Sequence, residues 1–500
     1  MRARRKGQPL AVRAAWAAAM VTGAAFAIPS CVPNYDFVAA DAGASDASMD
    51  STAPADANVD STAPADAAMD STASNDTGPS PSGDAGSDAA PPPTLATLLP
   101  MAVVSTETGN AQQQHLVFAK NSGRWWLFYI DADGLSVKTQ WSLDFATWTA
   151  GAVLTPLPYE LGGDARNFSV AYRDFSGIDV IHLATSLHED PKRVVYDTRA
   201  TITGSVITFD TPVLVHDIDD VGVPEAGPQG GPYCDPDGTG VAIAGDGHVY
   251  VATSWVSIPG CCSCDSNFAT STALDEGTSW NGGFVQPLTH FTVPGSTHAR
   301  QVSGFSTGAA MGAWETADNE PADPTNVSWA GNIGGAWPPD GTYPIFPNTN
   351  PPGGEALNDW SICRIDDQHV HAVRRRLDVP DGGDGGPSNT FDHYFFNGSG
   401  WTYEGALADD LGLDGTGVVL LTNGTNLLVA AISGDASSAV RYATYDGTWS
   451  AWSTLTTSTA VRNFLSGSGC ADPAHPALLW TEGVVAPYAV VGIPVLALIP

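Results

Sequence analysis

Arg124-Trp-Trp-Leu-Phe-Tyr-Ile130 and, much later in the chain, Asn426-Leu-Leu-Val-Ala-Ala431 decide the fold. Each is a compact apolar run of strand length, opened by a polar turn and far too short for an amphipathic helix. The pattern recurs at Asp179-Val-Ile-His-Leu-Ala-Thr185, His248-Val-Tyr-Val-Ala-Thr253, Ala310-Met-Gly-Ala-Trp-Glu315, His369-Val-His-Ala-Val373 and Ala477-Leu-Leu-Trp-Thr481. Anchored on Tyr129, Ala184, Ala252, Ala313, Ala372, Ala430 and Leu479, the spacings are 55, 68, 61, 59, 58 and 49 residues. Repeats of this length, built from short strands, are the signature of a radial or stacked β architecture.

A second pattern follows most copies: a turn, then an aromatic residue that opens another strand. The aromatics are Trp148, Phe209, Trp280, Trp337, Trp401 and Trp449. Six units are complete on this reading, and the seventh lacks its last strand. The run Leu95–Val104 supplies that strand, which ties the ends of the chain together and removes exposed edges. The sequence therefore predicts an all-β fold over 95–500, a β-propeller of seven blades, with six as the next count and a pair of β-sandwiches as the rival.

Asp275-Glu-Gly-Thr-Ser-Trp280 resembles the Asp-box (BNR repeat) of sialidase-type β-propellers, with Ala273 in place of the usual leading Ser. Ser142-Leu-Asp144-Phe-Ala-Thr-Trp148 is a shortened relative of it. The resemblance implies that the Asp carboxylate and the turn cap a hairpin while the Trp packs between blades. These are structural roles, so the resemblance speaks to fold far more than to function.

Working outward, the chain begins with a basic start, Arg2 to Lys6, and an apolar run, Ala14 to Ile28, the layout of an export signal over residues 1–30. Ile28-Pro29-Ser30-Cys31 resembles the bacterial lipobox, which implies lipidation at Cys31; the alternative is cleavage after Ala25-Phe26-Ala27 and a secreted chain. Val32, not Asp, follows the cysteine, so the resemblance implies the outer membrane or cell surface. Within residues 31–94, Asp-Ser-Thr-Ala-Pro-Ala-Asp starts at Asp50, recurs at Asp60 and has a degenerate copy at Asp70, a period of ten, and the segment carries no Lys or Arg. Such a segment has too little apolar bulk to offset its ordering entropy, and predicts a disordered, self-repelling stalk.

Across the whole chain 20 Lys+Arg face 54 Asp+Glu, a formal net charge of −34. A nucleic-acid binder needs a basic footprint, and an anionic membrane surface would repel this chain, so nucleic acid is excluded as a partner and a membrane enters only through the lipid anchor. The expected state is a monomer.

Six cysteines remain beyond Cys31: Cys234, Cys261, Cys262, Cys264, Cys363 and Cys470. In an exported chain an even number reads as disulfides, with fifteen connectivities open. Zinc is disfavoured because Cys261-Cys262-Ser-Cys264 lacks paired-thiolate spacing. Loops at Asp131/Asp133, Asp217/Asp219/Asp220, Asp235/Asp237 and Asp381/Asp384 offer oxygen ligands to a structural Ca2+, though turn-forming Asp-Gly is the commoner explanation of such loops. No cofactor and no other metal is expected.

The sharpest functional signal lies at the strand openings. Ala165-Arg166-Asn167, Ala299-Arg300-Gln301 and Val461-Arg462-Asn463 begin units two, four and seven in one register. At a central mouth, Arg166, Arg300 and Arg462 could converge on one anion, and the arrangement looks like the three arginines that hold the substrate carboxylate in sialidases. The competing account gives each a structural partner. The family's Arg-Ile-Pro motif is absent. For hydrolysis the candidate catalytic groups are Asp359, Asp235 with Tyr233, and Glu225. Arg374-Arg375-Arg376 reads as a solvated strand end. The expected function is an anchored surface protein binding an extracellular, acidic glycan; the alternatives are an exo-acting glycoside hydrolase of sialidase-like type and a protein-interaction scaffold.

Overall fold

The computed structural model describes residues 95–103, 113–130, 136–154, 168–189, 192–217, 235–256, 266–270, 280, 287–289, 295–296, 300–318, 326–331, 343–344, 356–378, 388–408, 416–434, 438–456, 460–484 and 488–500. All lie in the second of the chain's two units, Gly86–Pro500. The signal segment, Cys31 and the stalk fall outside them.

β1 (Ala96–Val103) belongs to the last sheet. The first sheet is β2 (Leu116–Ala119), β3 (Arg124–Ile130), β4 (Val137–Ser142) and β5 (Thr149–Val153). The second is β6 (Phe168–Phe175), β7 (Ile178–Glu189) and β8 (Lys192–Thr203), with β9 (Val206–Phe209) and β10 (Val213–Asp217) both on β8. The third is β11 (Asp235–Ile243), β12 (Val249–Val256), β13 (Ser266–Thr270) and β14 (Pro287–Thr289). In the fourth, β15 (Gly295–Ser296) and β16 (Arg300–Gly304) pair with β17 (Ala310–Asp318), followed by β18 (Asn326–Gly331) and β19 (Tyr343–Pro344). The fifth is β20 (Ala356–Arg364), β21 (Val370–Asp378), β22 (Ser388–Phe396) and β23 (Trp401–Ala408). The sixth is β24 (Thr416–Thr422), β25 (Leu427–Ile432), β26 (Val440–Tyr445) and β27 (Ser453–Thr454). The last holds β28 (Arg462–Gly467), β29 (Ala477–Glu482) and β30 (Tyr488–Pro494), and β1 pairs antiparallel with β30 at Ala96–Gly492 and Val103–Tyr488. Among the described residues there are thus seven antiparallel sheets and no α-helix.

Every apolar run that opened the sequence argument is the second strand of a sheet. These strands have a neighbouring sheet on each face, which is why they lack the polar alternation of a half-solvated strand; β25 is buried at all six positions. Separate apolar cores fill the spaces between successive sheets. Trp126 and Phe128 of the first meet Phe168 and Leu183 of the second, and Leu421 and Leu428 of the sixth meet Leu478 and Trp480 of the last. The final core joins Leu98 and Leu479 to Trp125 and Leu127, so the last sheet packs on the first and the ring closes. The molecule is a β-propeller.

Two of the turns singled out in the sequence are visible in part. The Asp144 carboxylate accepts from the Ala146 and Thr147 N–H groups at 2.9 and 2.8 Å. These backbone donors hold it below the usual carboxylate range. Trp148 packs into the core between the last and first sheets. Trp280 packs between the second and third, while Asp275 falls outside the described residues. Arg374 and Arg375 correct an expectation: both are buried, at 5% and 2% exposure, not solvated. They lie on a second strand covered from both sides, where Arg374 stands opposite the buried Asp392.

Candidate functional site: an axial cavity

The first strand of each sheet has one unpaired edge, and these edges face the axis. Side chains from adjacent inner strands supply the missing partners. Gln301 bonds both ways to Ile362, its Nε2 to the carbonyl at 2.6 Å and its Oε1 from the N–H at 2.7 Å. Ser169 Oγ accepts from Gln114 N at 3.2 Å, and Ser361 Oγ from Leu420 N at 3.1 Å. Gln114 Nε2 donates to Ser468 O at 2.6 Å, which links the first sheet to the last. At Gly304 the inner strands of the third and fourth sheets come so close that a Cβ would lie 2.6 Å from the Ile243 carbonyl oxygen.

Within this ring lies a cavity of about 380 Å³. It is small but within the usual range of roughly 300–1,000 Å³ for ligand sites. Ser169, Gly240 and Ser361 line its buried part; Asp174, Gly245, Ser306 and Ala471 are exposed at its rim. It therefore opens at the ends of the inner strands, where they turn back into the second strands.

Three cations stand on this rim: Lys120 just after β2, Arg173 in β6 and Arg364 closing β20. Arg173 donates from Nη1 to Ala244 O at 3.0 Å and from Nη2 to Gly245 O at 2.8 Å. Arg364 donates to Gly304 O at 2.7 Å and pairs with Asp367 at 3.0 Å. Lys120 pairs with Asp472 at 3.4 Å. Asp174 is the one carboxylate among the described lining residues. The Asn121 amide and the Gly177 N–H, each at 2.9 Å, hold it below the usual carboxylate range, with help from Lys120 and Arg173. Buried Asp179 fixes the neighbouring turn, accepting from Asn121 N, Ser122 N and Tyr172 OH at 3.0, 2.7 and 2.8 Å.

Of the residues picked out at strand openings, Arg462 is the one arginine whose side chain is described. It is buried, and its Nε donates to Glu482 Oε1 at 3.0 Å while Nη1 donates to Ala460 O at 3.1 Å and Ser438 O at 3.3 Å. It does not line the cavity. Arg300 opens β16, Asp235 opens β11 and Asp359 lies in β20, but their side chains are outside the description, as are Arg166, Tyr233 and Glu225 altogether. The rim cations share no register: Lys120 follows the end of β2, Arg173 lies two residues before the end of β6 and Arg364 ends β20, so alignment of the repeats does not single them out.

Cys363 of β20 and Cys470, beside the cavity, form a disulfide with Cα atoms 5.5 Å apart. Cys234, Cys261, Cys262 and Cys264 lie outside the described residues, as do Asp131, Asp133, Asp219, Asp220, Asp381 and Asp384; the side chains of Asp217 and Asp237 are likewise not described.

No protein-family model matches the chain. No curated protein matches it either. Its fold is similar to that of solved carbohydrate-active proteins. A PL25 ulvan lyase bound to GlcA(1-4)Rha3S aligns with 80% of this chain and 95% of its own, at 11% identity and a TM-score of 0.50. The Trypanosoma rangeli sialidase in complex with the inhibitor DANA aligns over 81% and 60%, at 9% identity and a TM-score of 0.43. The Fusarium graminearum GH93 α-L-arabinofuranosidase with arabinobiose aligns over 80% and 97%, at 12% identity and a TM-score of 0.40.

Proposed function

We propose that this chain is an exported surface protein, lipid-anchored at Cys31, whose propeller binds an extracellular glycan. The observation that carries the glycan reading is the axial cavity: sugar-sized, open at one end, and lined by amides, hydroxyls, exposed backbone and rim cations. Polyhydroxylated ligands need that mixture of donors and acceptors. The ulvan lyase, which shares the fold at a TM-score of 0.50, was solved with a saccharide bound. Export is supported by the Cys363–Cys470 disulfide, since such bonds persist in oxidising compartments.

At this cavity, binding is favoured over hydrolysis. Glycoside hydrolysis calls for a pair of carboxyl groups, one of them a general acid with a raised pKa. The described lining residues include one carboxylate, Asp174, whose lowered pKa suits the base or nucleophile, and no second carboxyl group to serve as the acid.

A glycan array run beside a chromogenic glycoside panel tests the reading. Binding without turnover is the expected result. Turnover would instead make the chain an exo-acting hydrolase, and silence on both would leave the protein-interaction scaffold. Metabolic labelling with a lipid precursor tests the anchor: label should enter the wild type and not Cys31→Ala, and equal labelling of both would refute it.

A further inference from the structure

The geometry points to the hairpin-turn rim of the axial cavity as an oxyanion subsite, with Arg173 as its main donor, Lys120 and Arg364 as further cations on the same rim and Phe175 as a platform, for a carboxylate or sulfate carried on a sugar. This rests on the glycan reading above and adds to it the charge class of the ligand and the end of the axis at which it enters.

Arg173 is the strongest of the three cations. Its guanidinium has five N–H donors. Two are spent on the Ala244 and Gly245 carbonyls, which fix the plane of the group on the adjacent sheet and leave the rest to a ligand. Both acceptors are neutral, so no bonded carboxylate offsets the charge. That combination, orientation already fixed and no carboxylate bonded to the guanidinium, is what bidentate recognition of an oxyanion requires. Arg364 is oriented in the same way by the Gly304 carbonyl, with part of its charge taken by Asp367. Lys120 is nearly half exposed, and its pair with Asp472 is a surface pair of little strength, so it can turn to a ligand cheaply. The lining acid, Asp174, has its described bonds to Asn121 and Gly177 and meets Arg173 and Lys120 only through space.

Phe175 completes the subsite. It stands at the tip of the β6–β7 hairpin, 37% exposed, opposite Ile178 at 49%. The Arg173 guanidinium lies 5.5 Å from its ring centroid. An exposed ring beside an oriented cation suits an acidic sugar, which presents an apolar C–H face and a charged substituent together.

The test is calorimetric titration of the full chain with three size-matched oligosaccharides, one bearing glucuronate, one sulfated and one neutral, and with inorganic sulfate alone. Wild type should prefer one or both acidic sugars by about tenfold or more, and the preference should shrink as salt rises. The glucuronate and sulfated arms tell which oxyanion is read. Arg173→Gln should lower affinity for the acidic sugar by about 10- to 100-fold and leave the neutral one unchanged, the loss expected for charge-assisted bonds. Because Arg173 also braces the Ala244–Gly245 turn, the melting temperature of the variant is read alongside. Phe175→Ala, which breaks no described hydrogen bond, should weaken acidic and neutral sugars alike. Retention of the wild-type preference in a folded Arg173→Gln protein overturns the subsite, as does equal binding of acidic and neutral sugars. If the array identifies a ligand but none of the three oligosaccharides binds at the rim, the subsite falls while the glycan reading stands. If every sugar fails but sulfate binding is lost in Arg173→Gln, the glycan reading falls and the oxyanion subsite stands.

Discussion

Arg462 and Arg173 belong to the same kind of strand, one opening β28 and the other near the end of β6. Their surroundings could hardly differ more. Arg462 is sealed from solvent, with Glu482 and two carbonyls on its guanidinium. Arg173 has carbonyls alone and faces an open cavity. Residue type is the same for both, while the repeat register singles out Arg462 alone. What separates them is whether the next strand supplies a carboxylate: Glu482 is the direct cross-strand partner of Arg462, whereas Val180 occupies that place opposite Arg173. The first arginine therefore stabilises the fold, and the second is left with charge to spend.

The largest expected effect concerns the covalent tie at the Arg173 end of the axis. The Cys363–Cys470 bridge closes a loop of 107 residues, which in the chain-entropy model stabilises by about 4–5 kcal/mol. Cys363→Ala/Cys470→Ala should lower the urea midpoint by a corresponding amount and weaken ligand binding, because Cys470 lines the cavity. An unchanged midpoint would show that the ring does not depend on the tie.

Next comes the buried pair. Glu482→Gln removes the carboxylate that Arg462 Nε meets at 3.0 Å; the arginine is buried and the acid 20% exposed, so the loss should fall short of the roughly 3 kcal/mol of a fully buried pair. Denaturant melts should show that loss with sugar affinity unchanged. A reversed result, stable but unable to bind, would move the anion site to the strand openings and sharpen the contrast in the other direction.

Intermediate in size, at about one pH unit below 6.5, is a pH effect at the seam between the fifth and sixth sheets. His371 Nδ1 and His393 Nε2 share a hydrogen bond at 2.9 Å beneath Tyr445 and Trp449. Burial pushes both imidazoles down, His371 to about 4 and His393 to about 3, with repulsion from His369 and His371 respectively adding to the shift. The native state therefore holds fewer protons than the unfolded chain below about pH 6.5. Stability from the pair is complete above that value and declines as the pH falls toward about 4, by up to roughly 1.4 kcal/mol per pH unit per histidine. His371→Phe/His393→Phe should flatten the urea midpoint between pH 6.5 and 4; the same slope in wild type and variant would clear the pair of any role.

The smallest stability change is expected at Arg173 itself. Arg173→Gln should cost about 1–2 kcal/mol, the worth of two partly exposed hydrogen bonds to carbonyls. A much larger loss would make Arg173 a second Arg462.

The repeat, the closing strand and the order of elements were legible in the sequence because a second strand covered on both faces must be continuously apolar, as Leu427 to Ile432 is. The rim was not legible. Nothing in Arg173-Asp174-Phe175 says that its guanidinium will meet Ala244 and Gly245, residues that approach only once two sheets are packed. The three arginines at strand openings were conspicuous because they share a register, yet for Arg462 the register placed Glu482 directly opposite. The buried histidines were hidden for a similar reason: His371 reads as one polar residue in the short apolar run Val370–Val373, and its partner His393 is on the following strand.

The pairing of β1 with β30 imposes an order of events on the making of the molecule. The strand that completes the last sheet is among the first parts of the folded region to be synthesised, and its partner is among the last. Until Tyr488–Pro494 emerges, β1 has no place to dock and the nascent sheets retain an unpaired edge. Closure is therefore a long-range, late step. A chain truncated anywhere before Tyr488 loses not one sheet's worth of structure but the seam on which the whole ring depends.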